Sequence, residues 1–331
     1  MKRIWIFLVL IILIIFGFII YNKYSIKCYE KDFYYFDTYI NIKIYSNNSK
    51  KVDKAFNYID ELFKSYHELT DRYNSYNNLI NLYTINNNVL KDEYLKIDKK
   101  LTKLIKYGIS LYDKSNGKID ISMGNIIDIW KGYRESGYGI PSLEELNYVN
   151  YNKISDIKLK NNQIKNNNLN IDLGCIVKGY VTKEVGEYLE KNNLDKFIIN
   201  AGGNVLTGKK YKKDKYKIGL EKPTNTADIY KIIKVENKAV VTSGGYLRYY
   251  EYNGNKYHHI IDPETLFPTN YMESVTVITS DSAYADFMST YLFLLPVDEG
   301  LEIVNNTEDL EAIWYISDDK IVTSEGINKY E

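Results

Sequence analysis

The sequence predicts one α+β domain behind a single apolar segment at the amino terminus. Three observations carry this. Stretches that alternate in polarity and stretches with helical spacing follow one another irregularly. No internal repeat and no Pro- or Ser-rich linker divides the 331 residues, although that length has room for two small domains. One unbroken apolar run, residues 4–20, is about long enough to span a bilayer core.

Composition narrows the function classes. Forty-three basic and 43 acidic side chains cancel, so no basic field exists for nucleic acid. Two cysteines, Cys28 and Cys175, make no disulfide framework. With only His67, His258 and His259 besides, a zinc site of the usual His/Cys kind is excluded. The 34 tyrosines accompany abundant Asn, Lys and Ile and reflect composition rather than a stacking surface.

Taken in order, the elements begin with Lys2 and Arg3 ahead of the apolar run. Residues 21–27 offer no small-residue cleavage site, and Lys27 directly before Cys28 argues against lipidation. The reading is an uncleaved signal anchor over residues 1–21, a juxtamembrane linker over 22–33 and one domain over 34–331. Lys2 and Arg3 outweigh Lys23 and Lys27, which places the domain outside the cytoplasm as a single-pass protein of the cell membrane. Residues 36–45 alternate, with Phe36, Thr38, Ile40, Ile42 and Ile44 on one face, and predict a half-buried strand. After Ser49 a helical face follows at Val52, Phe56, Ile59, Phe63 and Tyr66, ending near Thr70-Asp71. Residues 101–112 predict a second amphipathic helix. Residues 134–168 are polar and irregular, with a helix start at Ser142, and read as an excursion rather than a boundary.

The stretch between Asn170 and Asn204 says most about chemistry. A short apolar run ends in Asp172 and breaks at Gly174; Lys178-Gly179 opens a helix; a second apolar run over residues 197–199 ends in Asn200-Ala201-Gly202-Gly203. Two strand ends joined by a helix, with small residues at both tips, let backbone N–H groups approach a phosphate, and Lys178 adds a point charge. A βαβ-like unit whose glycines serve packing alone is equally compatible with these residues. Farther on, Ser280-Asp281-Ser282 offers N-caps for a helix through Leu295. Asp286 and Thr290, four apart, share one face of it and are hard oxygen ligands suited to Mg²⁺. His259, fixed by an apolar pair and Asp262-Pro263, can accept a hydroxyl proton as neutral imidazole, or can be a satisfied core histidine. Asp262 reads as structural ahead of catalytic, and His258 falls on the other face. Thr242-Ser243-Gly244-Gly245 offers hydroxyls and free N–H groups to a phosphate or ribityl chain.

Five pieces in order, Ile171-Asp172-Leu173-Gly174-Cys175-Ile176-Val177-Lys178-Gly179-Tyr180, Asn200-Ala201-Gly202-Gly203, Thr242-Ser243-Gly244, His259-Ile260-Ile261-Asp262-Pro263 and Ala285-Asp286-Phe287-Met288-Ser289-Thr290, resemble the ApbE-type flavin transferases. That family moves FMN from FAD onto a Ser or Thr of an acceptor protein. The resemblance runs from about Phe36 to the helix beyond Thr290. It implies flavin-nucleotide contacts from Phe36, Tyr73 in the loop starting at Arg72, Lys118, Ile119, Asp120, Asp172, Lys178, Gly202, Gly203, Ser243, Gly244 and His259. It further implies Mg²⁺ held by Asp286, Thr290 and the backbone carbonyl of Cys175. Lys178 and His259 are then the catalytic groups, FAD is the substrate, and AMP leaves. The partner is an acceptor flavoprotein, a subunit of a membrane redox complex among the family's clients. Two other readings use the same residues: an FAD pyrophosphatase with water as nucleophile, and a membrane-tethered flavin binder without turnover. The chain departs from the family at four places. Ile121 replaces a proline, Phe36-Asp37-Thr38 stands for Met-Gly-Thr, Asn204 for Asp, and Leu266-Phe267 for Gly-Tyr.

Overall fold

Alternating apolar residues build a central sheet that is antiparallel throughout. The computed structural model describes residues 5–7, 10–11, 25–87, 93–149, 154–166 and 170–331. The chain opens with β1 (Lys27–Tyr35) and β2 (Thr38–Ser46), then α1 (Ser49–Thr70), α2 (Leu82–Asn86), β3 (Leu95–Lys96), α3 (Lys99–Lys114), α4 (Gly124–Ser136) and α5 (Leu143–Tyr148). There follow β4 (Ile157–Lys160), β5 (Gln163–Asn166), α6 (Val177–Lys191), β6 (Phe197–Ala201), β7 (Asn204–Thr207), β8 (Tyr216–Lys222), β9 (Asn225–Val235) and β10 (Ala239–Gly244). The last part holds β11 (Tyr249–Tyr252), β12 (Asn255–His258), β13 (Ser274–Thr279), α7 (Ser282–Phe293), α8 (Val297–Asn305), β14 (Glu311–Ser317) and β15 (Lys320–Thr323). Eight strands pair in the order β1-β2-β6-β7-β10-β13-β14-β15.

Strand alternation sends neighbours to opposite faces. Leu206, Val241, Val277 and Ala312 join the large core beneath α1, α6 and α7. Val205, Val240, Ile278 and Ile313 pack instead against Leu220, Ile233 and Val235 of the β8–β9 hairpin. A third cluster stands apart: Met123, Ile126, Trp130, Leu146, Tyr250, Ile261 and Leu266 form a cap from α4, α5 and the β11–β12 hairpin. The domain therefore has one sheet sandwiched between helices and a hairpin, with a small aromatic cap.

Helix expectations hold closely. Asn48 caps α1 by accepting from Lys51 N–H at 3.0 Å, and all five predicted inward residues are buried. Ser142 caps α5 and Asp281 caps α7. Strand expectations need three corrections. The strand placed over residues 36–45 starts at Thr38, because Phe36 and Asp37 form a two-residue turn with φ of 55° and 53°. Such a turn matches strand twist in a tight hairpin. Residues 27–33, read as linker, belong to β1, which pairs with β2 from Lys27↔Ser46 to Tyr35↔Thr38. Only Phe33 of that strand is buried, so its polar sequence concealed it, as edge strands often do. Finally, residues 171–173 are not a strand. Ile171 and Leu173 are buried, but Ile171 N–H goes to Asn86 Oδ1 and Asp172 N–H to Ile121 O. A short apolar run does not distinguish a strand from a buried loop. With that segment a loop and β6 antiparallel to both β2 and β7, the βαβ-like reading gives way to a hairpin.

Most of the apolar run carrying the signal-anchor reading lies outside the described residues; residues 5–7, 10 and 11 are helical and exposed. Among the described residues no helix is long and apolar enough to cross a membrane.

Candidate active site

α6 starts without a side-chain cap of its own, so its first N–H groups need outside partners. Gly179 N–H donates to Asp286 Oδ2 of α7 at 2.7 Å. The two helices cross so closely that a Cβ on Gly179 would lie 2.4 Å from Asp286 Cβ and 2.6 Å from Ser282 O. Gly179 is required by that approach. Asp286 is buried, and burial raises its pKa; Lys178, the Gly179 amide and Asn204 pull it back only in part. One turn along α7, Thr290 Oγ1 lies 3.4 Å from Ser243 Oγ, which is 2.8 Å from Ser289 Oγ. Ser282 Oγ donates to Asn204 Oδ1 at 2.8 Å.

Cys175 sits in the turn ahead of α6. Burial foremost, then Asp172, Asp286 and Asp120, push its thiol far above the ordinary range. It stays a protonated thiol at neutral pH. Among the described residues no three His, Cys, Asp or Glu side chains gather as a metal-ligand group. A cation here would rest on one carboxylate, neutral oxygens and its own bound partners, which is the kind of set Mg²⁺ takes.

The glycine turn has two halves. Gly202 and Gly203, with φ of 61° and 87°, link Ala201 to Asn204. A Cβ on Gly202 would lie 2.2 Å from Thr38 Oγ1, whereas on Gly203 it would meet nothing within 4 Å. Packing accounts for Gly202, and only Gly203 presents an open face. Lys178 Nζ reaches Gly202 O at 3.4 Å. The expectation of free N–H groups at residues 242–245 is corrected at its two ends: Thr242 N–H donates to Gly203 O and Gly245 N–H to Glu273 O. The Ser243 hydroxyl, rather than the Gly244 backbone, is the group joined to the Thr290 cluster.

Other predicted residues divide. Lys118 is held by both oxygens of buried Asp262 at 3.0 and 2.9 Å and by Glu264 at 2.9 Å. Burial opposes its charge, but those carboxylates win and raise its pKa. Asp262 is buried and committed to that lysine. Ile119 is buried in the main core, so only its backbone can reach a ligand. Asp120 accepts from Ser122 N–H and Oγ. Asp172 pairs with buried Arg72 at 2.9 Å, and Arg72 also reaches Asp128 at 2.6 Å and Gly124 O at 3.0 Å. Tyr73 is exposed, with Lys131 Nζ 3.8 Å from its ring centroid. Phe36 packs against Phe63 and His67 of α1.

The two adjacent histidines differ. His258 is buried, its Nε2 2.6 Å from Thr269 O and its Nδ1 accepting from Ile260 N–H, a satisfied core residue. His259 has a buried Nδ1 with no partner. Burial foremost, then Arg248, His258 and Arg134, push its imidazole down to about 3, so it is neutral near pH 7. Arg134 and Arg248 were passed over in the sequence; their rarity was the available signal. Arg3, Arg72, Arg134 and Arg248 are the only arginines among 43 basic side chains.

The ApbE family model matches residues 36–314. The chain belongs to the ApbE family. It is similar to the FAD:protein FMN transferase of Klebsiella pneumoniae (strain 342), 39% identical over 158 residues, 47% of this chain and 48% of that protein. It is also similar to the FAD:protein FMN transferase of Haemophilus influenzae, 30% identical over 224 residues, 63% of this chain and 64% of that protein. The matched chain thus spans about half to two thirds of the length of these curated relatives. In fold it is similar to the ApbE protein of Thermotoga maritima, with a TM-score of 0.80 and 25% identity over 92% of this chain and 99% of that one. The flavin transferase ApbE of Vibrio cholerae shares the fold at a TM-score of 0.77 and 23% identity, over 93% and 100% of the two chains. Asp37 and Leu266, which stand where the resemblance leads one to expect glycine, have left-handed backbones, φ 53° and 63°.

Proposed function

We propose that this ApbE-family chain transfers FMN from FAD to a Thr or Ser hydroxyl of an acceptor protein and releases AMP. The observation that supports the reading is the α6–α7 crossing, where the Gly179 N–H, next to Lys178, donates to Asp286 Oδ2. A Mg²⁺ ion held there by Asp286, Thr290 and the Cys175 carbonyl would neutralise charge on the FAD diphosphate. Lys178 supplies a second positive charge to the same oxygens. His259, neutral near pH 7, takes the proton from the acceptor hydroxyl as its oxygen bonds to the FMN-side phosphorus. The bond from that phosphorus to the AMP phosphate oxygen breaks, and AMP leaves with the bonding pair. Phosphoryl-type transfer depends chiefly on positioning and charge, which these groups supply.

The test is incubation of the protein with FAD and Mg²⁺, with and without an acceptor flavoprotein. Mass gain of one FMN unit on the acceptor supports transfer; free FMN in both reactions makes it an FAD pyrophosphatase; unchanged FAD makes it a flavin binder.

The signal anchor belongs to this reading, with the domain outside the cytoplasm beside an acceptor such as a membrane redox subunit. Its supports are the apolar run, Lys2 and Arg3, and the missing cleavage site. The protein should keep its amino terminus and resist carbonate extraction. A mature chain starting at or beyond Cys28 overturns it.

A further inference from the structure

Basic and acidic side chains cancel over the whole chain, but not at one end of the sheet. The connection from β7 to β8 reads Lys209-Lys210-Tyr211-Lys212-Lys213-Asp214-Lys215, and β8 opens with Tyr216-Lys217. Asp195 and Glu236 pair with Lys209 and Lys210. Lys212, Lys213, Lys215 and Lys217 are exposed and, among the described residues, none of them pairs with a carboxylate. Lys215 reaches only the Lys329 carbonyl, at 3.5 Å. Lys217 stands directly opposite Lys234 of β9, which is exposed and likewise unpaired among the described residues. Like charges face to face in a sheet destabilise it, a cost that a bound anion would remove.

The place of this loop is fixed. Tyr211 stacks on Tyr45 of β2 with ring centroids 4.5 Å apart, and Tyr216 lies 6.2 Å from Tyr45. Tyr216 donates to Lys209 O at 2.9 Å. The Tyr211 hydroxyl donates to Ile26 O at 3.2 Å, across 185 residues of sequence. Ile26 directly precedes exposed Lys27, the first residue of β1. Five residues of chain separate Ile26 from Tyr21, just past the apolar run over residues 4–20, a reach of at most roughly 18 Å. Folding thus brings a lysine-rich loop to the point where the chain would leave a bilayer. Anionic headgroups attract such juxtamembrane lysines, and tyrosine rings favour the same interface.

We propose that Lys27, Lys212, Lys213, Lys215, Lys217 and Lys234 form a face that binds the anionic headgroups of the bilayer in which the chain is anchored. This rests on the signal-anchor reading. It also orients the candidate site. The basic loop follows Thr207, which pairs with Ile198 near the start of β6, whereas Gly202 and Gly203 lie past the other end of that strand. Strand rise sets the two ends of β6 about 14 Å apart. The glycine turn, with Lys178 beside it, then points away from the bilayer, toward the part of an acceptor that stands clear of the headgroups.

The test uses the full chain in vesicles of phosphatidylcholine alone and of phosphatidylcholine with about 30% phosphatidylglycerol. Lysine acylation, read by mass spectrometry, should slow at Lys212 and Lys213 by at least about threefold in the anionic vesicles, and about 0.5 M NaCl should abolish the difference. Lys178, at the other end of the sheet, should react equally in both. The K212E/K213E variant, altered only at exposed side chains, should melt as wild type does and lose the slowing at Lys215 and Lys217. Equal reactivity in both vesicles, or slowing that survives K212E/K213E, overturns the face, as does protection by a soluble acidic protein with none by the anionic vesicles. Flotation with the neutral vesicles tests the anchor by itself. A chain that floats with them yet labels equally in both keeps the anchor and discards the face. One that floats only with the anionic vesicles, and only at low salt, keeps the face and discards the anchor.

Discussion

The α6–α7 crossing and the cap both feed the candidate site, yet they are built on opposite terms. At the crossing almost every group is committed: Gly179 N–H to Asp286, Ser282 to Asn204, Ser243 to Ser289. The backbones touch, and only glycine fits between them. In the cap, aromatic packing carries the fold, two guanidiniums stand without counter-charge, and Leu266 holds a left-handed φ. A tightly satisfied region gives a ligand fixed geometry, whereas the cap is held by packing.

The largest effect should come from the crossing. Asp286 is the one carboxylate assigned to the cation, so Asp286→Ala should cut FMN transfer by about a hundred- to a thousand-fold or more at any Mg²⁺ concentration, from loss of roughly 3–4 kcal/mol of transition-state stabilisation. Thr290→Val removes a neutral ligand that water replaces, and should only raise the Mg²⁺ needed. A normally folded Asp286→Ala protein, checked by thermal melt, that transfers at near wild-type rate places the cation elsewhere.

Gly179→Ala sharpens the same point without touching a charge. The added Cβ meets Asp286 Cβ and Ser282 backbone, neither of which is a flexible tip. The helices must separate, at about 1–3 kcal/mol, with a matching loss of midpoint in urea and reduced transfer. Retained stability would show that the crossing is looser than its distances imply.

His259 should reveal the cap's positive field through acid stability. Its folded pKa of about 3 lies below the 6.5 of an ordinary histidine. As pH falls, the unfolded chain takes up this proton first. The contribution is therefore complete above about pH 6.5 and is lost progressively toward pH 3. His259→Gln should lose less stability than wild type between pH 7 and pH 4, with His258, also shifted down by burial, retaining its share. Equal slopes in both proteins would remove the field from the account.

Leu266 tests whether strain or packing dominates. Left-handed backbone costs a β-carbon residue about 1–2 kcal/mol, whereas burying a leucine side chain gains about 1.5–3 kcal/mol. Leu266→Gly should therefore destabilise, by roughly 1 kcal/mol, despite restoring the residue common in the family. A rise in melting temperature would reverse that balance. The smallest effect belongs to Cys175→Ala: with the thiol protonated and the carbonyl retained, transfer should stay within a few-fold of wild type, and loss of activity in a folded protein would implicate the sulfur.

Local pattern alone determined a good deal. Period 3.6 placed α1 and α3, and the caps at Ser280-Asp281-Ser282 placed α7, because amphipathic spacing and capping are written within one element. Asp286 and Thr290 share a helix face by spacing alone, and the ordered motifs from Asp172 to Thr290 marked the family. Tertiary structure decided what spacing does not encode. Edge strand β1 was invisible because only one of its residues is buried, and the run over residues 171–173 became a loop because Asn86 and Ile121 supply its hydrogen bonds. Gly179 and Gly202 owe their identity to backbones that approach from far along the chain, Ser282 in one case and Thr38 in the other. Arg72 and Arg134 read alike in sequence; only folding brings Asp128 and Asp172 to the first and leaves the second unpaired among the described residues, since a charge's role depends on which groups the fold sets within a few ångströms of it.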